Sequence, residues 1–569
     1  MKTTGTFLAA GAVAAIAAAA LAAPATIAGA SQKGDQQQST AASAKHVLLL
    51  SVDGMHQSDL DWYVANHPGS ALAKLVNKGA EFTNAQTPAP SDSFPGMVGQ
   101  VTGGNPKTTG VYYDDSWNKA LLPAGTTNCS AATPGAEVTY FEALDKDPYA
   151  LDAGQGLPNL PGSILNMTGN PTTLIDTTQL PVDPATCQPV YPNDYLKVNT
   201  VFGVAHSAGL HTAWADKHAA YQILNGPGST ANIDDLFTPE INSDAPTEAQ
   251  KHGFDWTKDN TLTQQYDGYK VQAVINEING HNHDGSGHPG TPAIFGMNFQ
   301  SVSTAQKLLS SPTSTSSAPQ PGGYTNGGAT PGPVLQDALR FVNAEVGAMS
   351  DALHQRGLAD STTVILSAKH GQSPLDPTQL ERIKDGPIID AINAAWATNH
   401  PNTQLVSFAI DDDGMLIWLS DSSQTAKDFV RYYLMHHTAP GTDINGHTSD
   451  VPQSGLASVQ DGPFVFGVPA GDPRVPDLLG VARVGTVYTG GSKIAEHGGV
   501  NPADRHVPLV VSGAGVGDHT VVSDRFETTS IAPTILRLLG LNPQRLQAVQ
   551  TEGTPALPLH AAESQDNQD

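Results

Sequence analysis

Four short apolar runs, each ending abruptly in polar residues, constrain the fold of this chain more than any other feature. They are HVLLLSVDG at 46–54, TPAIFGMNFQ at 291–300, TTVILSAKHG at 362–371 and HVPLVVSGAG at 506–515. Runs of this length that are rich in Val, Ile and Leu are typical of strands buried on both faces, as in a parallel sheet. They therefore predict an α/β protein with a largely parallel central sheet.

Helical periodicity between these runs supports the same class. The segment from Pro333 to Leu353 has apolar residues at spacings of three and four, which predicts an amphipathic helix. This helix leads directly into the run at 362–371, so helix and strand alternate as crossover connections require. A last helix is predicted from Ser530 to Leu539, because Gly540 is a good stop signal.

The rest of the chain is expected to be less regular. We predict one domain over 45–545, with insertions at about 118–199 and 226–292, which are rich in Pro, Gly, Asn and Thr. A low-complexity loop is predicted at 310–333. Polar composition predicts a disordered linker at 31–44 and a flexible tail at 546–569.

The first thirty residues resemble a secretory signal peptide. Lys2 is followed by an apolar run from Phe7 to Ala23 and then by Ala28-Gly29-Ala30, an A-x-A cleavage pattern. An uncleaved anchor is the alternative, because a run of ~17–25 apolar residues could span a bilayer. We expect cleavage after residue 30 and an exported protein, secreted or periplasmic, with no stable membrane insertion afterwards.

Cys129 and Cys187 are the two cysteines of the chain. In an oxidising compartment a pair of cysteines most simply forms one disulfide, and two buried free thiols are the alternative.

The net charge limits the class of partner. The chain has 28 Lys and Arg against 54 Asp and Glu, a formal charge of −26. Such a chain repels a polyphosphate backbone unless it carries a basic patch, and no such patch is visible. We therefore expect a small substrate and no binding to a nucleic-acid polymer.

Polar residues follow the predicted strands at their carboxyl ends. In open parallel sheets, ligands bind at this edge. Asp53 follows the first run, Gln300 to Gln306 the second, and Lys369 and His370 the third. Ser93 precedes a short run that can form a helix, and a hydroxyl at a helix start suits a nucleophile because the free N–H groups stabilise anions. Capping roles for Asp53 and Ser93 are the alternatives.

Five ordered motifs carry a family resemblance. They are VDG at 52–54, SFPG at 93–96 with TGGNPKTTGV at 102–111, SAKHG at 367–371, EHGG at 496–499 followed by VPLVVSGAG, and SIAPTILRLLG at 530–540. Over residues 45–541 the chain resembles the type I phosphodiesterase/nucleotide pyrophosphatases of the alkaline phosphatase superfamily. The resemblance implies an alkaline-phosphatase-like three-layer fold with long loop insertions. It also implies hydrolysis of phosphomonoesters, phosphodiesters or pyrophosphates at a two-zinc centre through a modified Thr or Ser.

The family's site residues carry over in part. Asp53, His370 and His497 match metal ligands, and Ser93 matches the nucleophile. Lys369 stands where the family has an aspartate.

An aspartate and a histidine of the family fall on Val302 and Gln306, so three of six expected ligands are replaced. Zinc needs three or four anionic or imidazole donors, which neither valine nor lysine provides.

The sequence does not decide whether the cation of the site is a metal ion or the Lys369 ammonium. One interpretation is a single divalent ion, zinc by resemblance, held by Asp53, His370 and His497 and assisted by Lys369. Another is a metal-free site in which the Lys369 ammonium binds the anion or lowers the pKa of Ser93. A third makes Lys369 a structural partner of a carboxylate.

Four further side chains are predicted to contact the substrate, namely Asp114, Lys217, His218 and Gln306. Together these residues predict an exported phosphoric ester hydrolase that forms a phosphoserine at a metal- and lysine-assisted site. The alternative is an exported pseudoenzyme of the same fold that binds an anionic ligand without turnover.

Overall fold

The structure is a computed structural model that describes residues 43–247 and 252–559. The predicted signal peptide lies outside the described residues, as does the predicted linker up to residue 42. Within the described part of the chain, no helix is both long and apolar enough to cross a membrane.

The main sheet of the described residues has eight strands and is mostly parallel. Its spatial order is β8-β2-β7-β6-β1-β5-β3-β4, and β7 is antiparallel to its neighbours β2 and β6 whereas the other neighbouring pairs are parallel. The strands are β1 (His46–Val52), β2 (Gly79–Phe82), β3 (Ala213–Ala215), β4 (Asp235–Phe237), β5 (Ile294–Phe299), β6 (Thr362–Ser367), β7 (Val510–Gly513) and β8 (Thr520–Val522).

The four apolar runs form the centre of this sheet as adjacent strands β7, β6, β1 and β5. The side chains of β1 from Val47 to Val52 are all buried, because helices cover the sheet. The prediction of an α/β fold with a largely parallel sheet is confirmed.

Two groups of mutually contacting helices pack into the same apolar core as the sheet. The first group comprises α1, α2, α5, α6 and α7, and the second comprises α3, α4 and α10. The longer helices are α1 (Gln57–Asn66), α2 (Ala71–Asn77), α3 (Ser93–Thr102), α4 (Val201–Ser207), α5 (Asn260–Ile278), α6 (Ser301–Lys307), α7 (Pro333–Gln355), α8 (Gly386–Ala397), α9 (Gln424–His436) and α10 (Ile531–Leu538). Helices α7 and α10 confirm the two predicted helices, and the predicted apolar face of α7 is buried. Shorter helices span Pro106–Thr109, Pro192–Tyr195, Gly462–Phe466, Pro502–Arg505 and Gln547–Glu552.

Helix α5 corrects the predicted insertion at 226–292. This 19-residue helix packs against β5 and α7 and belongs to the main core. Its apolar periodicity is weak because its buried face includes Asp267, Lys270 and Glu277. The Asp267 carboxylate and the Lys270 ammonium pair at 3.1 Å, which offsets part of the cost of burying them.

The predicted insertion at 118–199 carries the predicted disulfide. Cys129 and Cys187 are bonded, with their Cα atoms 5.8 Å apart. A hairpin of Asp115–Asn118 with Ala136–Thr139 enters this segment. The disulfide closes a long loop, several of whose apolar side chains, among them Tyr140, Leu144 and Ile175, are buried in the main core.

Two segments predicted to be irregular are ordered. Within 310–333, Ser310–Thr313 pairs with Ser316–Pro321 and Tyr324–Thr325 pairs with Thr330–Pro331. The predicted flexible tail is ordered as far as residue 559. Its helix Gln547–Glu552 packs on Gly103 and Gly104, and the Glu552 carboxylate accepts a hydrogen bond from the backbone of Asn105 at 2.9 Å.

A second apolar core within residues 381–488 was not predicted. It lies between α8, α9 and two four-stranded sheets. The strands of one sheet are Glu381–Ile383, Thr438–Thr442, Thr448–Pro452 and Thr486–Tyr488, and those of the other are Val406–Asp411, Gly414–Leu419, Leu456–Asp461 and Leu478–Ala482. A further pair of short strands, Ala85–Gln86 with Phe526–Glu527, follows β2 and β8 in the chain.

Candidate active site

Ser93 is the first residue of helix α3, beside the carboxyl end of β6. The Asp92 side chain caps this helix by accepting a hydrogen bond from the backbone N–H of Phe94 at 3.1 Å. Gly96 permits the close approach, because a Cβ there would lie 2.0 Å from the carbonyl oxygen of Lys369. The Gln100 amide donates to the carbonyl of Ala368 at 2.8 Å, so helix and strand end are tied together.

The Ser93 hydroxyl lies between a histidine and a lysine. Its Oγ is 3.2 Å from His370 Nε2 and 3.2 Å from the ammonium of Lys217. His370 Nδ1 donates to the carbonyl of Gly371 at 3.1 Å, which leaves Nε2 unprotonated and able to accept from Ser93. Burial and the neighbouring His497 hold the pKa of His370 well below its ordinary value, so its imidazole is neutral.

Asp53 follows β1 at the centre of the site. Its carboxylate accepts a hydrogen bond from Gln300 at 2.5 Å and lies 3.5 Å from the Lys369 ammonium and 3.8 Å from that of Lys217. Burial opposes its ionisation, but the two ammonium groups and the Gln300 hydrogen bond hold its pKa well below the ordinary value. Asp53 is therefore a buried anion among cations.

Lys369 is fully buried, and its ammonium group has three polar neighbours. Its ammonium lies 3.3 Å from Oδ1 of Asp216 and 3.5 Å from Asp53, and it donates to the Tyr221 hydroxyl at 2.5 Å. It also lies 4.4 Å from the centre of the Tyr221 ring, a favourable position for a cation. The geometry is that of a structural partner of two carboxylates, the third interpretation above.

His497 lies against His370, with 4.1 Å between ring centres. Its Nδ1 is 3.3 Å from Oδ2 of Asp92. Burial and the Lys307 ammonium lower the pKa of His497, and burial raises the pKa of Asp92 to about 6. The two histidines therefore form a neutral pair beside the helix start.

The two-zinc centre implied by the resemblance does not fit these residues. Val302 is buried in the apolar core, and the Lys369 ammonium lies against Asp53. In the described part of the chain, Asp53, His370 and His497 do not together form a group of three ligands whose donor atoms lie within 4.8 Å of one another. Such groups are Asp412, Glu496 and His497, and Glu142, His218 and Glu240.

A cavity of about 340 Å³ opens beside this cluster. Three of the four predicted substrate contacts, Asp114, Lys217 and His218, line it, as do Gln300 and His497. Burial and the nearby Asp92 raise the pKa of Asp114 to about 8.

Gln306 does not line the cavity. Its amide donates to the carbonyl of Gly54 at 2.9 Å and to the Tyr324 hydroxyl at 2.8 Å, and its oxygen accepts from Gln372 at 2.7 Å. All of its hydrogen-bonding groups are used inside the protein, so the structure assigns it an internal role.

Several residues of the site were not predicted. Asp92 and Tyr221 lie beside the predicted residues in sequence, in SDSFPG and ADKHAAY, but their types are common in turns and cores. Glu240 lies in TPEI at 238–241, where no spacing signal marks it. Only the folded arrangement brings these side chains to the cavity or to its neighbours.

Comparison with known proteins agrees with the fold and the motif order. The family model of type I phosphodiesterase / nucleotide pyrophosphatase matches residues 47–506, so the chain belongs to this family. The solved structure of wild-type alkaline phosphatase PafA is similar, with a TM-score of 0.54 and 15% identity over 87% of this chain and 96% of that one. No curated protein sequence matches the chain.

A second solved structure, murine ectonucleotide pyrophosphatase / phosphodiesterase 5, aligns with a TM-score of 0.48 and 13% identity over 88% of this chain and 96% of that chain. The likeness to PafA shows that the chain shares the fold of that alkaline phosphatase. The expectations of family and fold are confirmed.

Proposed function

We propose that this protein is a phosphoric ester hydrolase in which Ser93 forms a covalent phosphoserine intermediate. The observation that carries the proposal is the position of Ser93 Oγ, 3.2 Å from both His370 Nε2 and the Lys217 ammonium. One neighbour can take the hydroxyl proton and the other can stabilise the oxyanion. Family membership supports the reaction class.

In the first step, Ser93 Oγ attacks the phosphorus atom while its proton passes to His370 Nε2. The bond between phosphorus and the leaving oxygen breaks, the leaving alkoxide takes a proton from solvent, and His370 releases the Ser93 proton to solvent and becomes neutral again. In the second step, water attacks the phosphoserine and gives a proton to His370 Nε2. The bond between phosphorus and Ser93 Oγ then breaks, and Ser93 takes this proton from His370 as phosphate is released. A neutral histidine within hydrogen-bond reach of the nucleophile suits this role.

The positive charge that the phosphoryl group needs comes from lysine in this proposal. An ammonium group has three donors, and those of Lys369 face Asp216, Tyr221 and Asp53. Lys217 contacts Ser93 and also lines the cavity, so it is the ammonium able to meet a phosphoryl oxygen. We assign Lys369 to positioning Asp53 and assign no step to a metal ion.

The substrate class follows from the cavity and the charge. A volume of about 340 Å³ suits a small phosphate ester. The net charge of −26 disfavours a polyanionic polymer. We further propose an exported protein, because a disulfide-bonded chain belongs in an oxidising compartment.

A binding protein without turnover is the second candidate. Lys369 pairs with two carboxylates, and Ser93 is only 1% exposed. In this alternative the cations of the site stabilise the fold and hold an anion that is not cleaved.

Ser93→Ala separates the two functions, because it removes the attacking oxygen with little change in volume. We expect wild type to hydrolyse members of a panel of nitrophenyl phosphomonoesters and phosphodiesters, and kcat of the variant to fall by several orders of magnitude. Acid quench and mass spectrometry should find phosphate on the Ser93 peptide of wild type alone.

Lys217→Met tests the assigned cation. We expect vanadate binding to weaken by about 1.5–3 kcal/mol, the scale of a charge-assisted hydrogen bond. The exposed Lys78→Met is the matched control and should bind vanadate as wild type does. Equal turnover by wild type and Ser93→Ala would refute the covalent step, and vanadate binding without turnover on the whole panel would favour the binding protein.

A further inference from the structure

A largely buried cluster of acids next to the cavity pairs with no lysine or arginine of the described residues. Glu142, His218 and Glu240 each offer a ligand atom within 4.8 Å of the others. Glu240 is fully buried, and its carboxylate accepts from His218 Nδ1 at 2.8 Å. Three separate segments of the chain converge at this point.

Asp145 adds a carboxyl group to this cluster. It is 4% exposed and lies against the carboxyl group of Glu240. Its hydrogen-bonding neighbours are the Glu240 carboxyl group and the backbone N–H of Ala219, but neither of its oxygens makes a hydrogen bond of ordinary geometry. A buried carboxylate that is so poorly paired is costly, so this geometry calls for a cation or a shared proton.

No lysine or arginine in the described ranges lies within 4 Å of the carboxylates of Glu142, Asp145 or Glu240. The other ligand group is different in this respect. There Glu496 already pairs with Lys307 at 2.7 Å and also with Lys493, and Asp412 accepts from the Tyr113 hydroxyl at 2.8 Å. Of these two groups, the one that contains Glu240 has more carboxylates than cationic neighbours.

We propose that Glu142, Asp145, His218 and Glu240 form a divalent-cation site, separate from the Ser93 cluster. Three carboxylates with one imidazole suit an intermediate ion such as Mn²⁺ or Zn²⁺. The ion replaces the missing donor at Asp145 and neutralises the group.

The site would join three parts of the cavity wall. Glu142 and Asp145 lie in and directly after the short helical turn Glu142–Leu144, His218 precedes the turn Ala219–Asn225, and Glu240 follows β4. Glu142 and His218 also line the cavity. Binding of the ion would therefore fix the wall that carries Lys217, the residue next to His218.

Metal content measured on the purified full chain tests the proposal. We expect one Mn²⁺ or Zn²⁺ per chain by elemental mass spectrometry after dialysis against micromolar metal. We also expect a melting temperature that rises with metal concentration, because the ion binds only the folded state. Asp145→Asn and Glu240→Gln should each lose the ion and the metal-dependent rise.

Glu277→Gln is the matched control, because Glu277 is a buried acid whose oxygens also lack hydrogen bonds but which belongs to neither ligand group. It should keep the ion. Wild type that takes up no ion at any metal concentration would overturn the proposal in favour of a shared proton. An ion kept by Glu240→Gln but lost in Asp412→Asn would overturn it in favour of the other group.

Discussion

The Lys369 ammonium lies 3.3 Å from Oδ1 of Asp216, and both side chains are completely buried. Asp216 also accepts from the indole N–H of Trp214 at 3.0 Å, so its carboxylate is held in place. The pair places a fixed internal cation at the position where the family resemblance implies a metal-binding aspartate. The stability of the site therefore depends on this lysine.

Lys369→Met should be strongly destabilising. The variant leaves Asp53 and Asp216 as buried carboxylates without their cation, which costs about 3–5 kcal/mol of unfolding free energy. Urea denaturation measures the loss. Adding Asp216→Asn to Lys369→Met should recover part of it, because one unpaired charge is removed. If Lys369→Met were as stable as the surface variant Lys78→Met, this charge balance would be wrong.

Asp115 should make stability depend on pH. Burial and the nearby Glu137 raise its pKa to about 10 in the folded protein, well above its ordinary value near 4. The folded state then keeps a proton that the unfolded chain releases, so this contribution is complete below about pH 4 and is lost as pH rises towards 10.

Asp115→Asn replaces the protonated carboxyl with an uncharged group of similar shape. The slope of unfolding free energy against pH, measured by urea denaturation between pH 5 and 9, should become less negative by up to about 1.4 kcal/mol per pH unit. The exposed Asp147→Asn serves as the control. A slope identical to that of wild type would show that Asp115 is ionised in the folded protein.

Loss of the disulfide should loosen the segment between the two cysteines. Cys129→Ser with Cys187→Ser opens a loop of 58 residues, and loop-closure entropy predicts a loss of about 2–4 kcal/mol. Thermal unfolding and limited proteolysis should locate the change between residues 129 and 187. Recovery of both cysteines as alkylated thiols from unreduced wild type would contradict the bond itself.

The sequence predicts the sheet centre because β1, β5, β6 and β7 are buried on both faces and are therefore rich in apolar residues. It does not predict α5, whose buried Asp267 and Lys270 neutralise each other only when the helix is packed. The second core at 381–488 was missed for a related reason, since none of the buried runs singled out in the sequence falls within it.

The candidate site divides in the same way. Asp53 and His370 lie close together, as the rule that ligands gather at strand ends predicts. Ser93, which was selected by its helix start and by the family motif, lies 3.2 Å from His370. The sequence does not predict which of Lys217 and Lys369 faces the cavity, because this depends on the carboxylates that surround each lysine in the folded protein. Asp216 and Tyr221 engage one ammonium and leave the other at the cavity.

The ordered carboxyl-terminal segment has a consequence for biosynthesis. Helix α3 spans Ser93–Thr102 and is capped by Gly103. The carbonyl of Gly103 accepts a hydrogen bond from Thr554 at 2.6 Å, and Val549 packs against this glycine. Some 450 residues separate the two sides of this contact in the sequence. Because a nascent polypeptide folds from its amino terminus, helix α3 must wait for about 450 further residues to be synthesised before it acquires these partners. The helix that carries Ser93 is therefore completed long after its own residues have been made.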